Sequence, residues 1–191
     1  KSYEDVKTCV DAGFTSIMID ASSLPFEQNV EEVKKAVRYC HFYGIPVEAE
    51  LGALQGKEED IVNEAEAHTD PAMVADFVNT TECDLLAVAV GNVHGLELEP
   101  HVDLDLLKTI ADISPVPLVL HGGSGIPFDV IQKARKCGLL KINYGSDLRK
   151  EFIRTFGEAY ENTNHKAHDV ISLSMAAVDN VAAKACELVK I

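Results

Sequence analysis

The sequence predicts an α/β fold in which helices alternate with the strands of a parallel sheet. Short aliphatic and β-branched runs start at residues 16, 46, 85, 117 and 139, 22 to 39 residues apart. Segments with helical periodicity separate them. The runs show little polar alternation, as expected of strands covered on both faces. The 191 residues, 47% hydrophobic and 25% charged, provide for one sizeable core, with no linker or low-complexity segment.

In chain order, Ser2 with Asp5 makes a capping pattern ahead of Val6, Cys9 and Val10, and Gly13 stops that helix. Residues 16–19 (SIMI) form the first strand. Residues 30–43 place Val33, Ala36, Val37 and Cys40 on one helical face and end at Gly44. The strand 46–51 (PVEAEL) follows. Asp70-Pro71 opens a helix carrying Val74, Phe77 and Val78, with proline in its first turn. Next come strand 85–90, helix 104–113, strand 117–120, helix 127–137 closed by Gly138, and strand 139–142. Residues 147–160 and about 170–189 read as two further helices, the second rich in alanine. Such βαβ units take right-handed crossovers. Five strands suit either a doubly wound sheet or part of an eight-stranded barrel, which could not close with five.

A net charge of −14 and a pI of about 4.8 argue against general nucleic-acid or anionic-membrane binding. They leave room for a small anionic substrate, because a metal and backbone N–H groups make a local positive site. No apolar run approaches the roughly 18 residues of a membrane span. Cys9, Cys40, Cys83, Cys137 and Cys186 lie far apart with no CxxC, which suits reduced thiols in the cytoplasm. The chain opens at Lys1, and a polypeptide that begins upstream is expected.

In parallel α/β folds chemistry gathers at the C-terminal ends of strands. The first run ends in Asp20-Ala21-Ser22, and the second contains Glu48 and Glu50 before Gly52. The third leads to Gly91-Asn92-Val93-His94-Gly95, the fourth to His121-Gly122-Gly123-Ser124-Gly125, and the fifth to Asn143-Tyr144-Gly145-Ser146-Asp147. His94 and His121 each follow an apolar strand and precede glycine. They read either as metal ligands or as two hydrogen-bonded structural histidines. Asp20 and Glu50 can add oxygen ligands or orient the imidazoles. The glycines at 122, 123 and 125 let backbone N–H groups approach an anion, next to a helix N-terminus at Pro127. Residues 143–147 form a second loop of this kind, with the Ser146 hydroxyl as donor. Residues 55–60 (QGKEED) read as a solvated acidic loop, or as a mobile one whose Glu58 or Glu59 acts as a general base. The remaining histidines, at 41, 68, 101, 165 and 168, read as surface or packing residues.

Six colinear blocks carry a family resemblance: AGFTSIMIDASSLPFEQNV, VEAELGALQG, the TDP at 69–71, LLAVAVGNVHG, PLVLHGGSGIP and KINYGSDLR. Across about residues 3–155 the chain resembles the class II, zinc-dependent ketose-bisphosphate aldolases of the fructose and tagatose type. The resemblance implies a (β/α)8 barrel, of which this chain would hold roughly strands 4–8 as a single domain, with strands 1–3 upstream of Lys1. It implies reversible cleavage of a ketose 1,6-bisphosphate to dihydroxyacetone phosphate and glyceraldehyde 3-phosphate. His94 and His121 would ligate Zn2+ or another divalent metal, with Asp20 and Glu50 as secondary or alternate ligands. Gly95, Gly122, Gly123, Ser124, Asn143, Tyr144, Gly145 and Ser146 would bind the phosphate-bearing part of the substrate, and Glu58 or Glu59 would move protons. A monovalent cation and a homodimer or homotetramer also belong to this expectation. The family's third histidine and catalytic Asp sit in a His-x-Asp-His-Gly motif expected upstream.

The chain departs from the family pattern at Ala21, where Gly is usual, at Gln55 and Glu59 in the acidic loop, and at Tyr144-Gly145-Ser146. The last change removes a clue to fructose or tagatose preference. Two other readings are a different metal-dependent barrel enzyme acting on phosphosugars and a non-catalytic phosphosugar-binding barrel.

Overall fold

In the computed structural model, which describes residues 2–52, 55–58, 61–63, 68–94, 99–163 and 166–188, local signals set most helix ends. Helix α1 (Tyr3–Asp11) starts with a capping box: Ser2 accepts from the Asp5 N–H and the Asp5 carboxylate accepts from the Ser2 N–H. Strand β1 (Ile17–Ile19) and helix α2 (Phe26–Phe42) follow. Strand β2 (Val47–Leu51) precedes a short pair, β3 (Gln55–Glu58) and β4 (Ile61–Asn63). Asp70 caps α3 (Pro71–Thr81) by accepting from the Ala72 N–H. After β5 (Leu85–Val88) and β6 (Val93–His94), Asp103 caps α4 (Leu104–Ile113) through the N–H groups of Asp105 and Leu106. The chain continues through β7 (Leu118–Leu120), α5 (Phe128–Lys136), β8 (Leu139–Ile142), α6 (Ser146–Asn162) and α7 (Ala167–Leu188).

The main sheet has the order β1-β2-β5-β7-β8, with every neighbouring pair parallel. Spatial order therefore follows chain order without reversal. A doubly wound sheet would reverse at a switch point and carry helices on both faces. Here helices α2 to α5 share one face. Ile17, Ile19, Val47, Ala49, Leu51, Leu86, Val88, Leu118, Leu120 and Leu139 pack into one core with Val33 and Val37 of α2, Phe77 of α3, Leu107 and Ile110 of α4 and Ile131 of α5. This is the wall of a barrel, with right-handed crossovers laying each helix outside. The other face presents Met18, Glu48, Glu50, Ala87, Val119 and Lys141, which meet in register across neighbouring strands. The polar groups of the barrel wall are gathered there.

Two departures from the sequence expectation have local causes. Helix α2 begins at Phe26, before the expected start at residue 30, because Pro25 occupies the N-cap and needs no N–H there. Phe26 then packs against Phe77, with ring centroids 6.0 Å apart. Residues 55–63 contribute a hairpin rather than a loop. Strand β3 pairs antiparallel with β4 and parallel with β6, matching Gln55 with Val93 and Gly56 with His94. A polar segment of this kind has no strand signal of its own; its pairing with β6 supplies the partner. Among the described residues, no helix is long and apolar enough to cross a membrane, and all five cysteines are unbridged.

Candidate metal and phosphate site

Strand β2 carries Glu48 and Glu50 two residues apart, so both point to the face away from the helices. Both are buried. The Asn29 side chain, buried in α2, donates to the Glu50 carbonyl at 3.0 Å. Thr69 clamps the end of the strand: its hydroxyl donates to the Leu51 carbonyl and accepts from the Ala89 N–H. These contacts tie β2 to β5 and fix where the two carboxylates project.

His121 follows β7 directly and is 4% exposed. Its Nε2 lies 2.8 Å from Glu48 Oε1 and its Nδ1 3.2 Å from Glu50 Oε2. Glu48 Oε2 in turn accepts from Lys141 Nζ at 2.6 Å. Burial opposes the charged form of His121, but hydrogen bonds and charge from the two glutamates outweigh it and raise its pKa to about 9. Burial likewise opposes ionisation of Glu48. The donors His121 and Lys141 prevail and hold that carboxyl below its usual range. Between β2 and β7, Ala87 stands opposite Glu50 on one side and Val119 on the other. Its lone methyl leaves room for the longer side chains to meet over β5.

The loop after β7 is held against the segment carrying His94. Asn92 Nδ2 donates to the His121 carbonyl at 3.0 Å, while Asn92 Oδ1 accepts from the Val90 N–H. Gly122 has φ +62°, and a Cβ there would fall 1.9 Å from the Val93 carbonyl oxygen. Only glycine permits this approach. The backbone of His94 is thereby placed on a segment touching the His121 loop. The His94 and Glu58 side chains, and all of Glu59 and Gly95, lie outside the described residues.

The glycine-rich loops of β7 and β8 interlock. Gly123 donates its N–H to the Asn143 carbonyl at 3.0 Å. The Asp147 N–H donates to Ser124 Oγ at 3.1 Å, and Asp147 Oδ2 accepts from the Gly125 N–H at 3.3 Å and from the Tyr144 hydroxyl at 2.6 Å. Burial and the Asp147 charge together push the Tyr144 phenol well above its ordinary range. Ser124 is buried and uses a lone pair toward Asp147, which leaves its hydroxyl hydrogen for another acceptor. Helix α6 starts at Ser146 and α5 at Phe128, so two helix N-termini adjoin these loops, where an anion is favoured. Asp20 turns into its own loop, with Oδ1 accepting from the Ser22 N–H at 3.0 Å and hydroxyl at 2.7 Å.

Among the described residues, no cluster of three or more His, Cys, Asp and Glu side chains is placed to hold a metal ion. The His121–Glu50 pair nonetheless has suitable spacing. Two atoms bound to one tetrahedral zinc at about 2.0–2.1 Å sit roughly 3.3–3.4 Å apart, and Nδ1 and Oε2 are separated by 3.2 Å. Imidazole nitrogen and carboxylate oxygen are also the donor types that divalent zinc takes. The pair therefore fits as part of a ligand set. Sequence reasoning placed Glu48, Asn92 and Asp147 at strand ends and Thr69 in a family block, but gave none of them a role. The available signal for Glu48 was the i, i+2 pair of acids in an otherwise buried strand.

The description "Fructose-bisphosphate aldolase class-II" belongs to the family model that matches residues 1–191. The fructose-bisphosphate aldolase of Geobacillus stearothermophilus is 44% identical over 158 residues, covering 82% of this chain and 55% of that protein. The Staphylococcus epidermidis fructose-bisphosphate aldolase is 46% identical over 147 residues, covering 76% and 51%. Among solved structures, the YdjI aldolase from Escherichia coli K12 superposes with a TM-score of 0.84 at 36% identity, over 98% of this chain and 66% of that one. The fructose-bisphosphate aldolase of Campylobacter jejuni gives 0.77 at 19% identity, over 98% and 64%, a likeness of fold. The chain spans about half the length of the curated relatives it matches. With a family model matched end to end and a parallel barrel wall shared with solved aldolases, the chain belongs to the class-II fructose-bisphosphate aldolase family.

Proposed function

We propose that this chain is the C-terminal part of a barrel enzyme that reversibly cleaves a ketose 1,6-bisphosphate, of fructose or tagatose type, to dihydroxyacetone phosphate and glyceraldehyde 3-phosphate. The observation that carries this reading is the buried His121–Glu50 pair beside the interlocked glycine loops of β7 and β8. His121 and His94 would hold a divalent metal, zinc in the first instance, with Glu50 and Asp20 as secondary or alternate ligands. That metal supplies Lewis-acid polarisation of the ketose carbonyl when bound.

The chain's own residues do the rest. Gly122, Gly123, the Ser124 hydroxyl and residues 143–146 bind the phosphate and, with Gly95, fix the reacting carbons relative to the metal. Glu58 or Glu59 moves a proton at the ketose carbon. This reading also calls for a third histidine, an acid that handles the C4 hydroxyl proton and three further strands to complete the barrel. Lys141 donates to Glu48, an engagement that disfavours its use as a Schiff-base nucleophile. The unbridged cysteines suit a cytoplasmic setting, and a homodimer or homotetramer with a bound monovalent cation completes the reading.

The test is aldol cleavage by the full polypeptide, assayed as dihydroxyacetone phosphate release from both bisphosphates. Chelation should abolish turnover and added zinc should restore it. Activity that survives thorough chelation, with borohydride trapping on Lys141, would overturn the metal route.

A further inference from the structure

Glu48 is a buried charged group on the barrel's inner face that the proposed chemistry does not use. It is 3% exposed, and a carboxylate that deep persists only where its oxygens are matched. Both are: Oε1 faces His121 Nε2 at 2.8 Å and Oε2 takes Lys141 Nζ at 2.6 Å. We propose that Glu48 and Lys141 are positioning residues that keep the His121 ring protonated on Nε2, and so present Nδ1 to a divalent cation bound beside Glu50. This rests on the metal site proposed above.

The chemistry of the donors decides which ring nitrogen keeps its proton when a cation binds. An ionised carboxylate only accepts, so the hydrogen between Glu48 and His121 belongs to Nε2. A neutral imidazole protonated there carries its lone pair on Nδ1, the atom 3.2 Å from Glu50 Oε2. In the metal-free ring Glu50, 3.2 Å from Nδ1, holds a proton there in the same way; a cation bound at Nδ1 takes that proton's place, and Glu48 keeps the other on Nε2. Lys141 fixes the carboxylate itself. By claiming Oε2 it leaves Oε1 for the ring and prevents the group from turning.

The sheet is irregular at the position that brings Lys141 into play. Strands β7 and β8 pair Leu118 with Leu139, then shift register so that Val119 meets Lys141 rather than Leu140. A one-residue slip exchanges the faces of a strand. Here it puts Lys141 level with Val119, Ala87 and Glu50 on the inner face, while Leu140 is left 66% exposed. Bulges next to functional sites re-aim a side chain in this way.

Zinc affinity of the full polypeptide, measured by chelator competition, tests the proposal together with 15N shifts of the His121 ring in the zinc-loaded state. Glu48→Gln should raise the zinc dissociation constant about 10- to 100-fold, and Lys141→Met should raise it by about 10-fold, with Lys141→Arg restoring most of the loss. The ring shifts should move in Glu48→Gln toward a mixture of rings bound to zinc through Nδ1 and through Nε2. Lys141 is half-exposed, so its variants keep the test available if Glu48→Gln does not fold. A merely structural role predicts lower thermal midpoints with unchanged zinc affinity and ring shifts, and that result would overturn the proposal. A parent protein that binds no zinc at all would overturn this proposal and the metal reading together, which tells the two failures apart.

Discussion

His121 is held between two carboxylates, and that geometry makes its protonation part of the stability of the metal-free protein. Its pKa is raised from 6.5 to about 9. A raised histidine adds stability that is complete below pH 6.5 and is lost as pH climbs through about 9. With chelator present, the urea midpoint should therefore fall between pH 6.5 and pH 9 more steeply than in a His121→Gln variant. Equal slopes would count against the ion-paired ring. Gly122 sets a different constraint at the same scale. Its φ is +62° and an added Cβ would meet the Val93 carbonyl, so Gly122→Ala should cost about 2–4 kcal/mol in urea unfolding. A loss below about 0.5 kcal/mol would show that the approach to Val93 is not needed.

Among the elements, β5 decides whether the site can form. Ala87 separates β2 from β7, and Ala87→Leu would fill the space through which Glu50 and His121 meet. Overpacking of about 1–3 kcal/mol is expected, together with weaker zinc binding; a variant with unchanged zinc affinity would show that the side chains do not pass over this residue. How much of this was legible in the sequence differs by element. Residues 104–113 and 139–142 were read to the residue, because Asp103 caps α4 and Gly138 precedes β8 with an apolar run behind it. The start of α2 was misplaced because it was set by the apolar face that begins near Val30, whereas the N-cap proline at 25 opens the helix at Phe26. The β3–β4 hairpin was invisible, since Gln55–Glu58 is polar and owes its pairing to β6. The strand-end rule put His121 and Glu50 on the candidate site. It could not reveal the bond between Glu48 and His121, residues 73 apart in sequence, nor the register shift that turns Lys141 inward. Local patterns encode faces and ends; they do not encode which buried groups meet.

At the scale of the whole molecule, five parallel strands in chain order with every crossover helix on one face form a barrel wall. The glycine loops follow its last two strands, where barrels commonly bind phosphate. Helices α6 and α7 pack on each other and leave Ile153, Ile171, Leu173 and Met175 exposed. The chain spans about half the length of its curated relatives. The central claim is that a divalent metal sits at His121 Nδ1 with Glu50 beside it, at the inner-face ends of β2 and β7. The most direct measurement is anomalous scattering at the zinc edge from crystals of the full polypeptide grown with zinc. The account predicts one strong peak about 2.0–2.2 Å from His121 Nδ1 with the His94 ring also in bonding range. A zinc peak placed elsewhere, with His121 still bonded to both glutamates and no metal, would contradict it.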